Sequence, residues 1–196
     1  YHSDVISCTF HLLVFFPIIS KIFQDDFEMA KNYIFIRLQR SEKWFEVQTI
    51  AAAGYCLWAQ GIYNATILLV LRCIGYQVSD INRMLRYYAA GVLAGTLILF
   101  LIVLSCNTLC LKLASHYSTS IILALTVTAM GVTVFFNSIA VQFNLLGNYF
   151  ISWHLSNNVN SYVYIFPTWV YYSATCMAGF IIFLIGRNIV KYTNYN

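Results

Sequence analysis

Six cysteines and four histidines are the side chains best suited to metal or nucleophilic chemistry, and their spacing supports neither. Cys8, Cys56, Cys73, Cys106, Cys110 and Cys176 lie in or beside apolar runs, and no two form a Cys-x-x-Cys pair. They read as small apolar side chains. Cys106 and Cys110 share a helix face, but two thiols without a nearby His or acid make a poor metal site. His2, His11, His116 and His154 have no partner at ligand spacing. The adjacent carboxylates Asp25 and Asp26 point to different helix faces. No Gly-rich phosphate loop occurs, so the chain is not expected to hydrolyse nucleotide itself. The sequon Asn64-Ala65-Thr66 falls inside an apolar run and is discarded as a glycosylation site. No enzyme motif, resident cofactor or metal site is expected.

A second set of residues is polar but embedded in apolar sequence. Gln60 and Asn64 are four apart on one face of a long apolar run; Asn107 lies in another, and Thr126, Thr133 and Asn137 in a third. Two readings are open. Such groups are commonly hydrogen bonds between membrane helices, each contributing about 1 kcal/mol or less. Alternatively Gln60, Asn64, Asn107, Thr133 and Asn137 line a substrate pathway. Gly91-x-x-x-Gly95 and Ala51-Ala52-Ala53-Gly54 allow close helix packing, within the chain or against another subunit.

The third set is the charged interval Gln24 to Glu46, which holds five of the seven acidic residues and four of the eleven Lys and Arg. Its inner part has helical periodicity: Phe27, Ala30, Tyr33, Ile34 and Leu38 make one stripe, while Asp26, Lys31, Arg37 and Arg40 take other faces. Asp25, Asp26 and Glu28 come first and Arg37, Arg40 and Lys43 last, the order that suits the helix macrodipole. A basic amphipathic helix can rest on anionic lipid, but the five acids would be repelled there. A protein partner of mixed charge fits better, with Asp26, Glu28, Lys31, Tyr33, Arg37, Arg40, Lys43 and Trp44 as the contact residues.

These residues need a framework, and composition dictates which. The chain is 60% hydrophobic and 9% charged, with a mean hydropathy of +0.70. Soluble domains carry about 25% charged residues. The expected fold is all-α, a polytopic helical membrane protein, because backbone groups in lipid must pair within the segment. Five spans are expected at about 5–23, 47–75, 87–111, 118–140 and 166–186. The charged segment 24–46 is expected as a cytoplasmic amphipathic helix between the first two spans, and 141–165 as an outer segment rich in Asn and aromatics. Neither a repeat nor a soluble domain interrupts this single transmembrane unit. Lys21, Lys31, Arg37, Arg40, Lys43, Lys112, Arg187 and Lys191 collect on one side, and Arg72, Arg83 and Arg86 on the other. The first side is expected to be cytoplasmic and to hold the C-terminus. A net charge of +4 with scattered basic residues gives nucleic acid no footprint.

In order of parts the chain resembles the type-2 permease subunits of ATP-binding-cassette transporters. Those have a span into the cytoplasm, an acidic-then-basic amphipathic segment, and a long span back out. Here the matching segment is FQDDFEMAKNYIFIRLQRSEKWFEVQ. The resemblance implies that this segment presses on a separate nucleotide-binding ATPase, which holds the ATP and magnesium. It also implies a second permease subunit, the same or different, in the membrane. Such permeases have six spans, and the start at Tyr1 rather than Met makes an upstream first span the expected sixth. The small size is similar to bacterial permeases that export or expel peptides such as bacteriocins, in the cell membrane. The reading outside this class is a stand-alone membrane protein, an immunity or sensor factor or a structural partner in a larger complex.

Overall fold

The structure is a computed structural model, and it describes residues 2–38, 41–75, 81–135 and 168–192. All described elements are helical: α1 (His2–Leu38), α2 (Ser41–Cys73), α3 (Ile81–Cys110), α4 (Ser115–Phe135) and α5 (Thr168–Tyr192). The expected outer segment 141–165 lies outside the described residues, as do Arg40 and Asn137.

The helix boundaries follow backbone chemistry rather than hydropathy. α1 is continuous for 37 residues, through Pro17 and through the charged residues that follow it. The sequence reading gave residues 24–46 a helix of their own; instead residues 24–38 are the second half of α1 and residues 41–46 the first turns of α2. Between Gln24 and Leu38 there is no Gly or Pro to stop the helix, so a change in polarity alone does not end it. α2 likewise begins at Ser41, with Glu42 in its first turn, where the helix dipole favours an acid. It stops at Gly75, whose φ of +85° is the left-handed conformation that closes a helix; Gly75 N–H donates to Arg72 O at 3.1 Å. α3 turns into α4 within a few residues, where Lys112 and Leu113 N–H both donate to Leu109 O.

α3 is the centre of the bundle and packs against each of the other four described helices. Ala94, Ile98, Leu99, Ile102, Val103, Leu104 and Cys106 are all buried, which covers more than one face. One core cluster joins Leu12, Phe16 and Ile19 of α1 to Ala52, Cys56 and Ala59 of α2 and to α3. A second, at one end of the bundle, joins Phe23, Phe27 and Ala30 of α1 to Phe45, Leu104, Leu111 and Val190.

The described outer faces of α1 and α5 carry apolar rows. On α1, Phe10, Val14, Ile18 and Ile22 repeat every four residues and are all exposed; on α5, Met177, Phe180, Ile181, Leu184 and Ile185 are exposed. Inside, Ser20, Gln24, Gln60, Asn107, Thr126 and Thr175 are buried. Among the described residues two stretches are long and apolar enough to cross a membrane, Tyr88–Cys110 and Trp169–Tyr192.

Candidate functional site

The charged end of the bundle is built on an aromatic cluster. Trp44 packs on Phe23 and Phe27 with ring centroids 5.3 and 5.7 Å away. Phe45, fully buried, meets Phe23 edge-on at 6.3 Å and stacks on Phe183 of α5 at 5.9 Å. Aromatic pairs of this kind add about 0.5–1.5 kcal/mol beyond area burial. The first turn of α2 is therefore wedged between α1 and α5. Gly186 permits the approach: a Cβ there would lie 2.9 Å from Cε1 of Phe45 and 3.0 Å from Thr108 Oγ1.

Charges surround this cluster. Arg187 Nε lies 3.1 Å from Glu42 and 3.2 Å from Glu46, and Lys191 Nζ is 3.8 Å from Glu42. Ser41 Oγ donates to Val190 O at 3.1 Å beside them. On α1, Lys21 pairs with Asp25 at 2.6 Å, and Asp26 accepts a 3.0 Å bond from Gln48. Exposed pairs of this sort contribute about 0–1 kcal/mol each.

The residues expected to contact a partner therefore divide. Glu28 and Lys43 are exposed at this end. Asp26 is half-buried and bonded to α2, and Trp44 is turned into the aromatic cluster. Lys31, Tyr33 and Arg37 lie on the last turns of α1.

The residues expected along a pathway are spread along the bundle. Gln60 is fully buried beside His11, whose ring stacks on Tyr63 with centroids 3.8 Å apart. Neither the oxygen nor the nitrogen of the Gln60 carboxamide makes a hydrogen bond of good geometry among the described residues, although the His11 side chain is within reach. Asn64 donates to the Gln60 carbonyl of its own helix at 2.8 Å and sets its oxygen against Gly91 of α3. Tyr88 OH donates to Gly61 O at 3.2 Å in the same contact. Asn107 is also buried, but with Asn64 level with Gly91, Gln60 is level with residue 95 or so. At 1.5 Å per residue Asn107 stands about 18 Å farther along α3. Thr133 lies near the end of α4.

A third polar group was missed in the sequence. At the junction of α1, α3 and α4, Gln24 Nε2 donates to Thr119 Oγ1 at 3.2 Å and points at Cys106 Sγ at 4.0 Å. Cys106 Sγ is itself 3.8 Å from Thr119 Oγ1. Ser20 is fully buried one turn away. The available signal was that Ser20 and Gln24 continue, at four-residue steps, the buried row of Leu12 and Phe16. Among the described residues no group of three or more His, Cys, Asp or Glu is placed to hold a metal ion.

No protein-family model, curated protein or solved structure matches this chain.

Proposed function

We propose that this chain is the membrane subunit of an ATP-driven transporter, a permease that crosses the bilayer five times and docks a separate ATPase at its charged end. The observation that supports the membrane location is the inverted polarity of the bundle. Rows such as Phe10, Val14, Ile18 and Ile22 face outward while Gln24, Gln60 and Asn107 are buried. Water-soluble proteins rarely leave contiguous apolar surface of that extent uncovered, whereas lipid solvates it. α5 is far from a hidden core helix, since only 22% of its apolar window is buried.

The docking part rests on position. Lys21, Lys43, Arg187 and Lys191 flank the aromatic cluster of Phe23, Phe27 and Phe45 at one end of the bundle, the end that this reading puts in the cytoplasm. Phe27, Trp44 and Phe45 brace the described parts of segment 24–46 there, and Glu28 and Lys43 are left open. A braced, mixed-charge surface suits a protein partner. The substrate class in this proposal is a peptide or other amphipathic molecule.

One observation favours the other reading, a stand-alone membrane protein. Gln60 and Asn107 are buried in helix packing and Asn64 bonds the Gln60 carbonyl of its own helix, an arrangement that needs no substrate path. Purification from the native host in mild detergent separates the two. The permease reading expects an ATPase without membrane spans to accompany the chain; recovery without any nucleotide-hydrolysing partner contradicts it.

A further inference from the structure

The ion pairs between α2 and α5 join two parts of the proposed machine that sequence reading kept separate. Glu42 and Glu46, one turn apart on α2, converge on the single Arg187 Nε of α5, and Lys191, one turn farther along α5, reaches back to Glu42. Ser41 is bonded to the Val190 carbonyl alongside. Beneath the charges Phe45 stacks on Phe183, and the contact with Gly186 has no slack. Packed contacts of this density shift as units rather than deforming smoothly. α4, by contrast, packs on α1 and α3.

We infer that the Glu42–Glu46–Arg187–Lys191 group is a coupling clasp: it makes α5 move with the start of α2 when the charged end is engaged by its ATPase. This rests on the permease reading above. Hydrophobic packing at Phe45 holds the two helices together, and the four charges fix their rotation and register, because two carboxylates on one guanidinium restrict its orientation. Arg187 is then a positioning residue. Motion begun at the cytoplasmic end is carried along α5 to Trp169, at the far end of the same helix.

The test uses the complex with its ATPase in lipid nanodiscs, with Cys8, Cys73 and Cys176 replaced by Ser. A cysteine replaces Trp169, which is 68% exposed. Its labelling rate by a maleimide is read with and without a non-hydrolysable ATP analogue. The clasp predicts a nucleotide-dependent change in rate, loss of that change in Arg187→Ala with the ATPase still bound, and recovery when Arg187→Glu is combined with Glu46→Arg and Glu42→Gln, the last removing the carboxylate that would otherwise face the new one. Persistence of the change in Arg187→Ala, or no change in the intact clasp with ATPase bound, overturns the inference. Should Arg187→Ala fail to accumulate, the charge-swapped pair decides, and a swapped protein without the change overturns it. Absence of any bound ATPase overturns the permease reading instead.

Discussion

Gly186 of α5 lies so close to Phe45 of α2 that a single methyl group would not fit between them. The Cβ would stand 2.9 Å from Cε1 of a ring that is itself fully buried. Gly186→Ala should therefore destabilise the bundle by about 1–3 kcal/mol, the usual cost of overpacking. Gly54 has open space around it, and Gly54→Ala should be neutral or stabilise by up to about 1 kcal/mol through helix propensity. Unfolding of the two variants side by side in detergent checks this. Equal stability of both would mean that α2 and α5 do not meet at Phe45.

The contact at Gly91 is softer. The nearest atom to a Cβ there is Asn64 Oδ1 at 3.1 Å, the far end of a side chain that can turn. Gly91→Ala should cost less than Gly186→Ala in the same assay. A larger loss at Gly91 would contradict the placement of Asn64.

Gln24 and Thr119 should be energetically coupled. Hydrogen bonds between helices in membranes average about 0.6 kcal/mol and reach about 1.7 kcal/mol. A cycle of Gln24→Leu, Thr119→Val and the double variant should show coupling of that size. Effects that add without coupling would place the two side chains apart.

What could be read from the sequence was each helix's own face. The spacing of Phe27 and Ala30 marks a buried stripe, and both are buried. What covers that stripe, namely Trp44 and Phe45, was hidden because periodicity describes one helix and pairing is a relation between two. The charged interval was taken for a separate element because polarity changed at Gln24. Helices end where the backbone itself turns: α2 runs on through Gly54 and Gly61 and stops only at Gly75, whose φ is +85°. Glu42 and Glu46 were counted among the five acids that anionic lipid would repel and were not among the residues expected to touch a partner. Their four-residue spacing matches that of Arg187 and Lys191, and the basic count had already put all four on one side. That match was legible, but nothing local to either helix required the two pairs to meet.

Gln60 separates pathway from packing. Its carboxamide is buried beside His11 without a hydrogen bond of good geometry among the described residues, so Gln60→Leu removes a poorly paired desolvated group and leaves similar volume. Stability should stay within about 1 kcal/mol of the parent or rise. In the permease reading, transport by Gln60→Leu and by Asn64→Leu falls while the amount of protein in the membrane is unchanged. Loss of the protein itself would assign both residues to packing.

Orientation is tested by cysteine labelling on intact cells. Lys43, exposed at the charged end, and Ile74, exposed beyond the far end of α2, are the two positions. A maleimide that cannot cross the membrane should reach Ile74→Cys from outside and reach Lys43→Cys only after permeabilisation. Equal labelling of both would refute a cytoplasmic charged end.

The docking of an ATPase on segment 24–46 is the central claim, and one pull-down tests it. Arg37→Glu combined with Arg40→Glu reverses two charges of this segment and leaves the aromatic residues of the bundle unchanged. Truncating one partner of a desolvated charge pair costs about 2–5 kcal/mol, whereas a rim charge costs little. The account predicts that the variant inserts in the membrane in normal amount and binds the ATPase at least about tenfold more weakly, a loss of about 1.4 kcal/mol. Unchanged ATPase binding by the double variant would contradict it.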